Sequence, residues 1–167
     1  GLIFSAATAP GSLTNVTQTF DGSTYTTVNP VNTARRGGGG SGSQTAALFF
    51  GGATDSPGYE VHTESWDGTS WSITSNLATG RQFIAGAVQA PSTASLAFSG
   101  FVPGATSAAT EEFNSSTLVT TAGAWASGGA IPVGTRTGAG TGTQTAGLHA
   151  AGYTNTIIAE SYEYDGS

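Results

Sequence analysis

Apolar residues along this chain come in short bursts rather than in stripes of helical spacing. Leu48-Phe49-Phe50 is a run of three stopped by Gly51-Gly52, Val61 to Trp66 alternates apolar and polar residues, and Trp71 to Leu77 alternates again. A period of two is that of a strand with one face buried, and no long window carries the 3.6-residue stripe of an amphipathic helix. Ahead of the first run lies a stretch of small residues, Gly37 to Ala47, in which Gly or Ser alternates with Gly, Gln or Ala. Such a stretch suits a strand packed where side chains have no room. Between the last two runs, Asp67-Gly68 is a strong turn signal, because both residue types tolerate positive φ. Residues 32–78 therefore predict a four-stranded antiparallel meander.

The same pattern is written nearly four times. Leu2, Leu48, Leu96 and Leu148 open the second strand of each unit, and their spacing stays close to 50 residues. Asp21-Gly22, Asp67-Gly68, Asn114-Ser115 and Asp165-Gly166 mark the turn after the third strand. Arg35, Arg81 and Arg136 precede the glycine-rich strand, while Tyr25, Trp71 and Trp125 open the fourth. A period of this size points to a propeller or another stacked array. We read residues 1–167 as a single repeat domain with units at about 1–31, 32–78, 79–133 and 134–167. The expected fold is all-β, a propeller or propeller-like array of about four four-stranded antiparallel blades. Its terminal blades are incomplete, with three strands in the first and last units. Two explanations stay open for these edges: a longer propeller, or completion by neighbouring copies of the chain.

The order of these landmarks resembles the Kelch-type β-propeller repeat, also found in the central domain of galactose oxidase-like proteins. In the second unit the resemblance is carried by Thr33-Ala34-Arg35, Gly51-Gly52, Glu64 with Trp66-Asp67, and Trp71. In the fourth it is carried by Arg136, Gly138, Gly152, Glu160 or Glu163, and Tyr164-Asp165-Gly166. The first and third units depart from it, with Ala6-Ala7 and Ser99-Gly100 in place of Gly-Gly and Asn114 in place of Asp. The QTAAL and FGG phrases are also similar to Gly/Thr/Ala-rich repeats of viral and environmental bacterial surface proteins. The copper-binding Tyr and His set of the oxidases lies outside the matched motif and is not carried over.

Composition narrows the function classes. Four Arg, no Lys and ten acidic residues give a net charge of −6, a surface that repels phosphate backbones and rules out general nucleic-acid binding. Cysteine is absent, which removes disulfides, thiolate catalysis and thiolate metal sites. No apolar window is long enough to span a membrane, and no signal peptide is visible. Abundant Ser, Thr and Gly with almost no basic charge point to an extracellular, cell-surface or virion-surface setting.

Few side chains carry chemistry. Arg35, Arg81 and Arg136 recur once per unit; they either ring a central channel as cations or pair with Glu64, Glu111 (or Glu112) and Glu160 to tie blades together, and the second reading suits a repeated joint better. His62 and His149 sit at different phases, without a metal-ligand partner or a Ser-His-Asp motif nearby. The turn aspartates lack calcium-loop spacing, and Gly37 to Ser43 lacks the Lys and helix of a phosphate loop. No cofactor, metal or catalytic residue is expected. Tyr59, Phe101 and Tyr153 occupy equivalent loops after the second strand, where a ring beside hydroxyl and amide donors either binds a sugar or partner or caps its blade. Asn15-Val16-Thr17 and Asn114-Ser115-Ser116 match the glycosylation sequon, at corresponding ends of the third strand in units one and three. The expected function is a non-enzymatic structural and recognition module that binds through blade loops, glycans among its ligands, and self-associates through open edges. One alternative is a filament subunit completed by strands of neighbouring copies. Another is a scaffold fragment of a carbohydrate-active or oxidase enzyme.

Overall fold

A computed structural model describes residues 1–9, 12–55, 58–115 and 124–166. Every regular element in them is a strand, as the period-two pattern predicts, and no helix is long and apolar enough to cross a membrane. The first sheet contains β1 (Leu2–Ala9), β2 (Ser12–Phe20) and β3 (Tyr25–Val28). The second contains β4 (Gly39–Gly42), β5 (Ala47–Phe50), β6 (Thr63–Trp66) and β7 (Trp71–Thr74). The third is built from β8 (Ala85–Gly86), β9 (Ala94–Phe98), β12 (Thr110–Asn114) and β13 (Ala124–Ser127). Between β9 and β12 lies a small ribbon of β10 (Phe101–Val102) and β11 (Ala105–Thr106). The last sheet has β14 (Ala139–Thr143), β15 (Ala146–Tyr153) and β16 (Ile157–Tyr164). All neighbours are antiparallel and no sheet closes on itself.

The turn chemistry is visible in atomic detail. Asp67 Oδ1 accepts the N–H groups of Thr69 and Ser70 at 2.8 and 2.7 Å, and Asp21 Oδ1 accepts those of Ser23 and Thr24 at 2.8 and 2.9 Å. These bonds favour the charged form and hold both carboxyls below the usual aspartate range. Only the glycine of each pair takes positive φ, Gly22 at 113° and Gly68 at 94°; the aspartate acts through its side chain instead. At the corresponding ends of these strand pairs two aromatic residues face each other: Phe20 opposite Tyr25, Trp66 opposite Trp71 and Phe113 opposite Trp125.

Three apolar clusters join consecutive sheets. Phe4 and Val28 pack with Phe49, Trp66 and Trp71 between the first and second. Leu48, Phe50, Ile84 and Phe113, with Trp125, lie between the second and third. Leu96, Phe98 and Tyr164 lie between the third and fourth. Where β4, β8 and β14 approach one another there is no space for side chains. A Cβ on Gly86 would stand 2.3 Å from the Gly40 carbonyl oxygen, and one on Gly140 would stand 2.9 Å from that of Gly86. The small-residue stretch is thus needed for packing, but its strand is shorter than the run implies, since Ser43 to Ala46 forms the turn into β5.

Two left-handed positions recur. Gly51, Ser99 and Ala151 have φ of 60°, 55° and 56°, each followed by a positive-φ glycine, and Gly37, Phe83 and Thr137 have φ of 64°, 56° and 59°. Ser99 and Ala151 therefore keep the backbone conformation of Gly51 and carry its strain, whereas Ala6-Ala7 of the first unit lies within β1. Thr137 is β-branched and exposed, which makes it the least suited of these residues. We expect Thr137→Gly to raise stability by about 0.5–1 kcal/mol in urea denaturation, a gain in strain relief partly offset by unfolded-state entropy.

Candidate functional site

Strand register sorts the candidate residues into three groups. The first is a pair of buried ion pairs. Arg35 reaches Glu64 at 3.2 Å, donates to the Phe49 carbonyl at 3.2 Å, and lays its guanidinium 4.1 Å from the centre of the Phe49 ring. Glu64 also accepts the Asn32 N–H at 2.6 Å and its side-chain amide at 2.8 Å. Arg81 donates to Glu111 at 2.5 Å and to the Ser99 and Ala109 carbonyls at 2.9 and 2.8 Å, while Glu111 accepts the Ala78 N–H at 2.7 Å. Burial pulls both arginines down and the facing carboxylates oppose it. Each side-chain pair fastens the lead-in segment to the third strand of its own sheet, so the expected inter-blade tie is not what the side chains make. The main chain of the same residue makes it, because the Arg81 carbonyl accepts the Gly52 N–H of the second sheet at 2.8 Å.

Arg136 is not the third member of this series. The bridges Arg36 to Ala53, Gln82 to Phe101 and Arg136 to Tyr153 put Arg136 in phase with Arg36, one residue beyond Arg35 and Arg81. A one-residue step along an extended chain turns the side chain to the opposite face. The buried position belongs to Thr135, whose carbonyl accepts the Gly100 N–H just as that of Arg81 accepts the Gly52 N–H. Glu160 is exposed on β16, two residues before Tyr162, and it is Tyr162 that stands where Glu64 and Glu111 stand in their sheets. The expected Arg136–Glu160 pair is therefore not formed among the described residues.

The second group fills the space this leaves. His149, fully buried, faces Thr135 Oγ1 at 3.2 Å and Ser99 Oγ at 3.3 Å through Nε2, and its ring stacks on Tyr162 with centres 6.3 Å apart. The matching residue of the second sheet is Phe49. A Ser–His contact of this kind invites comparison with a hydrolase nucleophile. Yet Ser99 is fully buried and His149 Nδ1 has no hydrogen-bond partner, so the access and the orienting carboxylate are both missing. Burial keeps this imidazole below the ordinary histidine range. The unfolded chain binds a proton that the folded chain resists. The stabilisation is therefore complete above the ordinary histidine pKa of about 6.5 and declines as the pH falls through the depressed folded value. We expect His149→Phe to flatten the dependence of the urea midpoint between about pH 7 and pH 5; an unchanged slope would mean the proton is taken up elsewhere.

The third group is the surface candidate. Tyr59, Phe101 and Tyr153 all lie at bridges where a chain segment returns past the end of its sheet, half-buried, and none belongs to the apolar clusters. The Tyr59 and Phe101 rings are 6.1 Å apart, and Arg136 spans the next gap, its guanidinium carbon 4.9 Å from the Phe101 ring centre and 4.7 Å from that of Tyr153. The result is one row, Tyr59, Phe101, Arg136, Tyr153, drawn from three successive sheets. Beyond it, Arg36 pairs with Asp55 at 2.8 Å on the surface. The expected equivalence of the three rings holds only for Phe101 and Tyr153: the bridges place Ala53 in their position, and Tyr59 lies on the returning segment opposite Ala53, where the later units have Thr106 and Ile157. Sequence reasoning also missed Arg136 as a partner of the rings; the available signal was its phase with Arg36.

The remaining candidates stay apart. His62 pairs with Glu60 at 2.6 Å, and no group of three metal-ligating side chains occurs among the described residues. Asn15 is exposed within β2 and Asn114 is exposed at the end of β12, in line with Asp21 rather than with Asn15, so the two sequons do not occupy corresponding ends. Ser116 of the second sequon lies outside the described residues. Comparison with protein-family models found no match, and comparison with curated proteins found none, so the reading of this surface rests on its geometry.

Proposed function

We propose that the chain is a non-enzymatic structural and recognition module of an extracellular, cell or virion surface, arranged as a Kelch-like, propeller-like array that binds glycans along the aromatic row. The observation that carries this is the convergence of three rings from successive units on one row, with a single cation held between two of them. Tyr59 and Phe101 offer flat faces to a sugar ring. Arg136 is half-buried, stacked on two rings and in no ion pair among the described residues, so its guanidinium charge suits an acidic sugar. Titration of the chain with neutral and uronic-acid oligosaccharides by calorimetry tests it. We expect Arg136→Ala to weaken the acidic ligand about tenfold, or ~1.4 kcal/mol, with little change in folding stability. Failure of every oligosaccharide to bind would sink the glycan reading.

A second reading, a filament or homo-oligomer subunit, draws on different observations. β3 and β16 each pair on one side only, and unpaired strand edges add strands readily. Light scattering on native material distinguishes a discrete monomer from an assembly.

A further inference from the structure

The sheets repeat a small receptor for one side chain. In the first three sheets a phenylalanine of one strand stands directly opposite a threonine of the next: Phe4 opposite Thr17, Phe50 opposite Thr63 and Phe98 opposite Thr110. The first two pairs are occupied. Trp71, from the fourth strand of the second sheet, donates its indole N–H to Thr17 Oγ1 at 3.1 Å and meets the Phe4 ring edgewise at 5.1 Å. Trp125, from the fourth strand of the third sheet, donates to Thr63 Oγ1 at 3.1 Å and meets the Phe50 ring at 5.1 Å. The second and third sheets thus each lock onto the one before through one indole.

The third pair has no such occupant among the described residues, in which the fourth sheet has three strands. Three independent features mark its place. Thr110 is 2% exposed and its Oγ1 is buried without a hydrogen-bond partner. A cavity of about 100 Å³ borders the phenylalanine of the pair, lined by Phe98, Ile131, Tyr162 and Tyr164 among others. Among the described residues β16 pairs with a strand on one side only, and its Tyr162, Glu163 and Tyr164 line this cavity. Tyr164 corresponds to Trp66, the residue directly opposite Trp71 in the second sheet, and its ring already meets Phe98 edgewise at 6.5 Å. An indole presented opposite Tyr164 on an added strand would therefore meet the phenylalanine and threonine that its counterparts meet.

We propose that the β16 edge and this cavity form a docking site for an extended strand of another polypeptide that carries one tryptophan. The strand adds antiparallel to β16, its indole N–H satisfies Thr110, and its ring fills the cavity against Phe98. Main-chain pairing supplies the length of the contact and the indole supplies the register. This rests on the open-edge reading alone, not on the aromatic row, so the oligosaccharide titration and the experiment below fail separately.

The test uses the full chain and a fluorescein-labelled peptide with the sequence of residues 69–77, which contains Trp71. Anisotropy titration is expected to show saturable binding, weakened at least tenfold when alanine replaces the peptide's tryptophan. Thr110→Val on the chain is expected to weaken the unaltered peptide several-fold while leaving the denaturation midpoint unchanged or higher, since it removes an unpaired hydroxyl. Equal binding of the two peptides, or no saturable binding, overturns the proposal. Light scattering alongside distinguishes a second copy as the occupant: an assembly that the peptide neither enters nor dissociates also overturns it.

Discussion

Glu111→Ala is expected to cost about 3–5 kcal/mol. The reason lies in what is left behind. Arg81 has no exposure, and it keeps its charge at any pH at which the chain folds. Without Glu111 its Nη2 group faces no counter-charge, and the Ala78 N–H loses its acceptor at the same time. Carbonyls of Ser99 and Ala109 still accept from Nη1, but neutral oxygens do not offset a desolvated cation. For a domain whose net stability is typically about 5–15 kcal/mol, the loss removes a large part of the total. At this chain length it should lower the thermal midpoint by roughly 10 °C. Combining Glu111→Leu with Arg81→Met removes the pair together, and that double variant should be more stable than Glu111→Ala. A single-variant cost below about 1 kcal/mol would show that the arginine escapes to water.

Gly86→Ala should be nearly as damaging, at about 3 kcal/mol, by overpacking rather than by charge. The added methyl would sit 2.3 Å from the Gly40 carbonyl oxygen and 3.0 Å from the Phe50 ring, and the first of these is main chain, which cannot rotate away. Relief requires β8 to move off β4, and β8 is in contact with both β4 and β14. Gly140→Ala provides the graded comparison. Its nearest contact is 2.9 Å, also to a carbonyl oxygen, so a smaller loss is expected. Urea denaturation of the two variants under one condition gives the comparison directly. Equal and small losses would mean that the glycine strands are not in close contact.

These two predictions rest on features of very different visibility. The glycine-rich run left two readings open in the sequence, a closely packed inner strand or a flexible connection, and the contacts of Gly86 and Gly140 decide for the first. Arg81 and Glu111 could be paired by their common phase in the repeat. For Arg136 the same reasoning failed, since a landmark counted to within one residue does not decide which face a strand residue occupies. The Ser99–His149–Thr135 contact gave no signal, because its members come from two sheets and replace an ion pair present in the other two units. The aromatic row was half visible: the sequence put three rings in the segments after the second strand, but register sets Tyr59 out of phase with Phe101 and Tyr153, and only spacing in three dimensions shows Arg136 lying between two of the rings.

What could be read along the chain was local. Period-two alternation, Asp-Gly turns and the recurrence of landmarks near 50 residues depend on neighbours within one hairpin, so they survive without knowledge of packing, and they yield an all-β chain of short antiparallel meanders. Register, facing and vacancy are relations between strands far apart in sequence. That Trp71 and Trp125 each reach back one sheet to a threonine, and that Thr110 lacks such a partner among the described residues, follows only from which strands lie opposite one another. The physical reason is that a one-residue shift reverses every side chain of a strand while leaving its composition and period unchanged.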